Sequence, residues 1–272
     1  MNIMGVAAAA AVIGITGLLI GLLLGIAGKK FAVEVDEKES QIRELLPGNN
    51  CGGCGYAGCD ALAQAVAKGE APTNGCPVAG LEVAKKIAAV MGESASESEK
   101  QVAFVKCNGT CDKANVKYNY YGIQDCQKAA MVPGRGDKRC SYGCMGFGSC
   151  VKVCPFDAIH IIDGIAKVDK EKCKACKKCI AVCPNHLIEL VPYASTVKVA
   201  CSSKDKGVDV KKACDTGCIG CKICEKQCNF DAIHVEENLA KIDYSKCKNC
   251  GLCAMKCPSK IIVKEEKVIA KE

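Results

Sequence analysis

Cysteine decides what chemistry this chain can perform. It has 25 cysteines among 272 residues, and most of them stand in C-x-x-C or C-x-x-x-C runs. Runs this dense cannot all form unstrained disulfides with one another, whereas they match the ligand runs of iron–sulfur clusters. Trp is absent and aromatic residues make up only 4% of the chain, so bound cofactors must supply part of its folding energy. The sequence therefore predicts a chain organised around iron–sulfur clusters that carry single electrons.

The stretch 140–257 is an internal repeat with an offset of 74 residues. Every cysteine from Cys140 to Cys154 has a counterpart 74 positions later, and the segment 156–160 returns with the same sequence at 230–234. This pattern predicts two ferredoxin-like modules in series, each with two [4Fe–4S] clusters. In two-cluster ferredoxins the fourth cysteine of each run ligates the other cluster, and we apply that rule here.

One of the four runs is irregular. The central Cys221 of the second module corresponds to Phe147 in the first, and phenylalanine cannot ligate iron. Cys140 is the natural substitute, and its copy Cys214 is then spare. The predicted ligand sets are Cys140, Cys144, Cys150 and Cys183; Cys173, Cys176, Cys179 and Cys154; Cys218, Cys221, Cys224 and Cys257; and Cys247, Cys250, Cys253 and Cys228.

A separate set of four cysteines precedes the repeat with the spacing C-x2-C-x4-C-x16-C. Its glycines allow backbone N–H groups to fold tightly around sulfur. Four thiolates at this spacing suit a [4Fe–4S] cluster or a structural zinc ion. The pattern predicts helices over 34–46, 60–68 and 81–91, and a linker over 92–100. The residues of this site are Cys51, Cys54, Cys59 and Cys76.

Five cysteines fit no standard run. They bind a sixth cluster, with three or four of them as ligands, or they are buried or free structural thiols. The clusters expected are therefore five, with a sixth possible. The five residues are Cys107, Cys111, Cys126, Cys201 and Cys214.

The N-terminal residues 3–27 contain no charged side chain. A run of about 20 apolar residues spans a membrane, so this one predicts a retained transmembrane helix. A cleaved signal peptide is the alternative, but no basic region precedes the run and it is too long. Lys29 and Lys30 follow it, which predicts a single-pass protein of the plasma or inner membrane with its C-terminal body in the cytoplasm. Gly17, Gly21 and Gly25 form a smooth face that suits another membrane helix.

Charge and missing motifs narrow the function. The formal net charge of the chain is +7, but each oxidised cluster with its four thiolates adds about −2. With five clusters bound, the net charge of the protein is therefore about −3. Binding of nucleic acid is therefore not expected. The chain has no P-loop, and its G-x-G-x-x-G match at 53–58 lies within a set of ligand cysteines and follows no predicted strand, so the chain should relay electrons and not transfer hydride. The lysines around the run that begins at Cys173 are either a solvated face or a docking patch for an acidic ferredoxin: Lys172, Lys174, Lys177 and Lys178.

The expected fold class is α+β. Alternating residues around Asp163-Gly164 predict a hairpin, which the second module repeats over 235–242. The predicted domains are a transmembrane anchor (1–28), a four-cysteine Fe–S domain (29–100), a connecting segment (101–139), a first ferredoxin-like module (140–195) and a second (196–272).

The order of apolar helix, glycine-rich C-x2-C-x4-C-x16-C domain and ferredoxin modules resembles the B subunit of the Rnf complex, the ion-translocating ferredoxin:NAD oxidoreductase of bacterial membranes. This resemblance implies a translocase subunit that accepts electrons from reduced ferredoxin and passes them to other membrane and peripheral subunits. Many members of this family carry one module, whereas this chain carries two. The alternatives are an electron-transfer adaptor of a hydrogenase or formate enzyme complex, and a zinc-stapled scaffold without redox function.

Overall fold

Short helices alternate with two-stranded sheets along the chain. The computed structural model describes residues 3–30, 36–94 and 99–265. Its helices are α1 (Ile3–Lys30), α2 (Glu37–Leu45), α3 (Cys59–Ala67), α4 (Gly80–Met91), α5 (Cys126–Met131), α6 (Ser149–Lys152), α7 (Lys178–Val182), α8 (Gly207–Ala213), α9 (Ile223–Lys226) and α10 (Leu252–Lys256). Its strands are β1 (Gln101–Val105), β2 (Ile159–Ile162), β3 (Ile165–Val168), β4 (Ile188–Pro192), β5 (Val197–Val199), β6 (Ile233–Glu236), β7 (Leu239–Ile242) and β8 (Ile262–Lys264). The α+β class is confirmed.

Helix α1 contains the predicted apolar run. Its segment Ala11–Gly28 is long and apolar enough to cross a membrane, by length and composition, and none of it is buried against the rest of the chain. Large side chains such as Leu18 and Leu23 are exposed. A Cβ placed on Gly17, Gly21 or Gly25 would meet nothing within 4 Å, so this face is open.

Helices α2, α3 and α4 form the small N-terminal domain around buried Ile42, Leu62 and Ile87. Helix α2 begins after Asp36, whose carboxylate accepts the Lys38 N–H at 2.9 Å and so satisfies a free helix donor. The helices predicted over 60–68 and 81–91 are confirmed, and so is the one over 34–46 from Glu37 onward. Residues 34 and 35, and 95–98 of the predicted linker, lie outside the described residues.

The two repeats fold alike. In each, an outer antiparallel pair (β1 with β4, β5 with β8) accompanies a hairpin (β2–β3, β6–β7). Strand β1 lies in the stretch 101–139 that the sequence predicts as a connecting segment. It pairs with β4 along its length and buries Val102 and Val105, because the outer edge of the first module needs an apolar strand there. The first module therefore begins at β1 in the structure.

The stretch that follows β1 contacts the second module. The Asn115 N–H donates to the carbonyl of Ala213 at 3.0 Å, and the Asp215 N–H donates to the carbonyl of Lys113 at 2.9 Å. A side-chain bond joins the same surfaces, from the Thr216 hydroxyl to the carbonyl of Asn108 at 3.2 Å. These bonds fix the position of the second module relative to the first.

The N-terminal domain contacts the first module at one tight point. A Cβ placed on Gly53 would lie 3.0 Å from both Cα and the carbonyl oxygen of Cys176. Both atoms belong to backbone, which cannot move aside as a side chain can. A side chain at position 53 would therefore require this backbone to shift by a few tenths of an ångström, and glycine avoids that shift.

Replacing Gly53 by Ala is expected to loosen this contact, because the added methyl group meets fixed backbone. Hydrogen exchange should quicken in peptides around residues 51–56 and 174–178. Ala57→Ser, an exposed change in the same loop, is the control and should leave both peptides as they are. Unchanged exchange in the Gly53→Ala protein would contradict the tight contact.

Candidate metal centres

Three of the predicted ligand sets each line one cavity. The first comprises Cys154, Cys173, Cys176 and Cys179; the second Cys218, Cys221, Cys224 and Cys257; the third Cys228, Cys247, Cys250 and Cys253. Each set draws three cysteines from one run and the fourth from the other run of its module. The structure thus brings together the residues that the exchange of the fourth cysteine predicts.

The remaining set of the first module differs from the prediction. Cys144, Cys150 and Cys183 line a cavity with Cys126, and Cys140 does not line it. Burial, together with the neighbouring thiolates of Cys144 and Cys126, raises the pKa of Cys150 to about 12. Both the lining of the cavity and this electrostatic interaction therefore place Cys126 near Cys150.

A hydrogen-bond chain fixes Cys126 in place. Helix α5 begins at Cys126, whose N–H donates to the hydroxyl of Ser149 at 2.8 Å. That hydroxyl donates in turn to the carboxylate of Asp125 at 2.9 Å, which also caps α5. Cys126 lines the cavity with Cys144, Cys150 and Cys183, whereas Phe147 packs against Tyr120 with 5.2 Å between ring centres. Cys126 has no copy in the second module, so the repeat gives no sign of it.

Cys140 lines a fifth cavity, together with Cys107, Cys201 and Cys214. Because its lining comes from both modules, we call it the inter-module cavity. Four of the five cysteines that fit no run therefore line this cavity (Cys107, Cys201 and Cys214) or the previous one (Cys126). Burial raises the pKa of Cys140, and the Cys107 and Cys214 thiolates add to the effect. The same holds for Cys201, whose pKa burial raises to about 11, with Cys140 among its charged neighbours.

The cysteines of the inter-module cavity have a two-fold pattern. Cys107 and Cys201 each stand two residues after the first strand of their module, β1 and β5. Cys140 and Cys214 are copies 74 residues apart. The Cys144 N–H donates to the Cys107 sulfur at 3.4 Å, and its counterpart Cys218 donates to the Cys201 sulfur at 3.3 Å. Each module therefore contributes two cysteines in equivalent positions, and the repeated pair Cys140 and Cys214 is the signal in the sequence that could find this set.

The N-terminal cysteines also converge. Cys54, Cys59 and Cys76 lie in or against the core of helices α2–α4. The Cys59 N–H donates to the side-chain oxygen of Asn50 at 2.8 Å, which fixes the start of α3. Burial raises the pKa of Cys76, and the thiolates of Cys54 and Cys51 add to the effect.

Cys111 lies outside these six groups. It is exposed, its N–H donates to the carbonyl of Asp163 at 2.9 Å, and its sulfur lies beside Gly164 at the tip of the first hairpin.

The cavities suit a multi-iron core. Each of the five is lined by four cysteines, which is the number of ligands that a [4Fe–4S] cluster takes. Among the residues that the structure describes, no group of three or more His, Cys, Asp or Glu side chains lies close enough together to hold a single metal ion.

Backbone donors complete these sites. The N–H groups of Ala103, Ala158, Ala166, Leu187 and Ala232 each donate to a cysteine sulfur at 3.4 Å. Such bonds stabilise thiolates and tune the potential of a bound cluster. Burial raises the pKa values of Cys179 and Cys224 to about 12, so these thiols stay protonated until a cationic core displaces their protons.

Three family models match the chain in these regions. A model for an Fe–S cluster domain matches residues 46–78, a 4Fe-4S binding domain matches 166–189, and a 4Fe-4S dicluster domain matches 217–261. The matches cover the N-terminal cysteines, the run from Cys173 to Cys183 and the second module.

Full-length relatives decide the family. The B subunit of the Na⁺-translocating ferredoxin:NAD⁺ oxidoreductase complex of Acetobacterium woodii is 47% identical over 92% of this chain and 75% of its own length. The B subunit of the ion-translocating oxidoreductase complex of Methanosarcina acetivorans is 46% identical over 93% and 96%. This chain belongs to the family of Rnf B subunits. The B subunit of the proton-translocating ferredoxin:NAD⁺ oxidoreductase complex of Clostridium ljungdahlii is 44% identical over 91% of the chain and 88% of its own length.

The family settles the general role of the chain. It is an iron–sulfur electron-transfer subunit of an ion-translocating oxidoreductase complex, and its partners are other subunits of that complex. The resemblance seen in the sequence is confirmed. The family models support 4Fe-4S sites in both ferredoxin modules and an Fe–S site near the N-terminus without counting the clusters.

A buried cation lines the inter-module cavity. Lys138 is only 8% exposed, and its ammonium group donates to the carbonyls of Gly109 at 3.0 Å and Gly164 at 2.7 Å. Within the described part of the chain it forms no ion pair with a carboxylate. Lys106 lines the same cavity, but its ammonium pairs with Glu189 at 2.7 Å. A buried charge is costly without a counter-charge, and a cluster with four thiolates is an anion that would supply one.

If a cluster occupies the inter-module cavity, replacing Lys138 by Met should lower its reduction potential, because the cation that favours the more negative reduced state is lost. A tenfold change in the reduction equilibrium, about 59 mV for one electron, is the scale expected. Redox titration of the full chain by EPR measures it, on the signal that Cys214→Ala removes.

Two controls accompany this variant. Lys138→Arg keeps the charge and should keep the potential. Lys106→Met removes a lysine that Glu189 already neutralises and should shift the potential less. Equal shifts in Lys138→Met and Lys106→Met would contradict the assignment of Lys138 as the counter-charge.

Proposed function

We propose that the chain binds six [4Fe–4S] clusters in one continuous row and relays single electrons along it, from reduced ferredoxin to the other subunits of the complex. The observation that carries the proposal is the inter-module cavity, which supplies the link between the two ferredoxin modules. The ligand sets are the three cavities that match the prediction, the N-terminal set, and two regrouped sets: Cys126, Cys144, Cys150 and Cys183; and Cys107, Cys140, Cys201 and Cys214.

Direct contacts support the order of the sites in the N-terminal half. Gly53 of the N-terminal site abuts Cys176 of the next one, and the Cys51 thiolate is among the charges that raise the pKa of Cys176 after burial. Cys179 of that site is among the charged neighbours of Cys150 in the following one. These contacts favour a succession of the first three sites.

The row continues into the second module through the inter-module site. The Cys144 N–H contacts the Cys107 sulfur on one side, and the Cys218 N–H contacts the Cys201 sulfur on the other. The last two sites share one apolar core, which includes Cys218, Cys224 and Cys253. When bound, the clusters supply one-electron redox chemistry; the residues of the chain hold them in order, exclude water and stabilise the thiolates.

The names of the relatives supply the ends of the path. Two of them belong to ferredoxin:NAD⁺ oxidoreductase complexes, one Na⁺-translocating and one proton-translocating. We infer ferredoxin as the donor and NAD⁺ as the acceptor of the whole complex. Helix α1 adjoins the N-terminal site in sequence, so that site is the end nearer the membrane. Lys29 and Lys30 favour the cytoplasm for the body of the chain.

Iron stoichiometry of single and double variants tests the regrouped ligand sets. The full chain should hold about 24 irons after anaerobic reconstitution. Cys126→Ala and Cys140→Ala should each lose one cluster, and the double variant should lose two, because the residues serve different sites. Iron and sulfide analysis with EPR measures the loss.

Cys111→Ala is the control and should leave the iron content unchanged. The ligand set predicted from the sequence gives a different pattern, since Cys126→Ala would then lose no iron. A double variant that loses only one cluster would overturn the two-site assignment.

Interrupting the row at its middle tests the relay itself. In Cys214→Ala, reduced ferredoxin should still reduce one part of the chain rapidly, while the clusters beyond the gap fill slowly. Rapid-freeze EPR resolves the two phases, and a chemical reductant should reduce both parts alike. Uniformly fast reduction of all remaining clusters by ferredoxin would argue against a single row.

A further inference from the structure

The repeat allows the same surface to be compared in two settings. Cys176 of the first module and Cys250 of the second are copies 74 residues apart, and each lines a cavity of its module. Cys176 is only 9% exposed, and Gly53 of the N-terminal domain lies against its backbone. Cys250 is exposed in the described part of the chain. One copy of the surface is thus covered by an iron–sulfur domain and the other is open.

The open copy has an apolar centre beside the cysteine. Phe230 lines the cavity of Cys250 and is 43% exposed. Its copy Phe156 packs against the core of the first module. An exposed aromatic ring next to a redox site is the kind of surface that a docking partner excludes from water.

Positive charge surrounds this centre. Lys248 lines the cavity, is exposed, and forms no ion pair among the described residues. The ammonium of Lys264 donates to the carbonyl of Cys250 at 3.2 Å. The acidic neighbour Asp231 is already paired with Lys246 at 3.2 Å. Among the described residues, this face therefore has an excess of positive charge that suits a negatively charged partner.

We propose that the face formed by Phe230, Lys248, Cys250 and Lys264 is the docking site for a small acidic iron–sulfur carrier. The carrier presents a cluster-binding loop to Cys250, as the N-terminal domain presents Gly53 to Cys176. One electron leaves the reduced carrier, which is thereby oxidised, and enters the chain without bond making or proton transfer. This proposal rests on the proposed relay and names the end at which electrons enter.

The lysines of the first module are the alternative entry point that the sequence suggests. Lys174 is the copy of Lys248 and lines the cavity of Cys176. That cavity already faces the N-terminal domain through Cys176. Lys174 therefore provides a matched control at the equivalent position of the other module.

The test is stopped-flow reduction of the full, cluster-loaded chain by a pre-reduced 2[4Fe–4S] ferredoxin of net negative charge. Lys248→Glu should lower the second-order rate constant by about tenfold at low ionic strength, and the difference should shrink in high salt. Lys174→Glu should stay within about twofold of the unaltered chain. Carbodiimide cross-linking followed by peptide mapping should join ferredoxin carboxylates to Lys248 or Lys246, and not to Lys174 or Lys172.

The outcomes separate this proposal from the relay. Equal slowing by both variants, or cross-links on the first module, would overturn docking at Cys250 while leaving the relay intact. Failure of ferredoxin to reduce the unaltered chain at any rate would instead overturn the relay. Iron content and reduction by dithionite verify that Lys248→Glu retains its clusters, so a slow rate reports docking.

Discussion

The fold depends on one requirement: four thiolates must meet around a cationic core inside a low-dielectric cavity. Without the core, burial drives the thiol pKa values upward, to about 12 at Cys150, Cys179 and Cys224. Thiolates brought together there would repel one another. A bound core would offset both effects, since it would supply positive charge where the chain has placed sulfur. Cluster binding would then contribute to the folding free energy, as it does in other small metal-binding domains, in keeping with the sparse aromatic content of this chain.

Duplication explains the architecture of the second half. A ferredoxin module closes two sites by exchanging a cysteine between its runs, yet two modules side by side would still lack a link between their inner sites. In the proposed row the inter-module cavity supplies that link, because each module contributes an equivalent pair of cysteines to it, Cys107 with Cys140 and Cys201 with Cys214. The buried Lys138 is present on one side only, since its copy Lys212 pairs with Asp209 at 3.6 Å on the exposed face of α8.

The sequence predicts most of the secondary structure and three of the cysteine sets. The cysteines that it groups differently from the structure share one cause. In a regular run, the spacing of the cysteines identifies the fourth one, which is expected to ligate the other cluster of the module. Three cavities are lined by the sets predicted in this way. Helices α2–α4 and the hairpins follow from apolar periodicity and from turns such as Asp163-Gly164. Cys126 and Cys107 have partners in distant segments, and only tertiary contacts such as Ser149 to Cys126 bring those partners near. Proximity in the chain favours Cys140 for the first module, whereas the fold turns it towards the neighbouring one.

The contrast between Cys176 and Cys250 shows how one surface serves two purposes. At Cys176 the partner is covalently attached, so its local concentration is high and a weak contact is enough. At Cys250 a diffusing partner has no such advantage, and long-range attraction must raise the rate of encounter. An exposed aromatic ring beside Lys248, which forms no ion pair among the described residues, meets that need. The same duplicated site can therefore be a permanent junction in one module and an entry point in the other, and what distinguishes them is whether the partner is tethered.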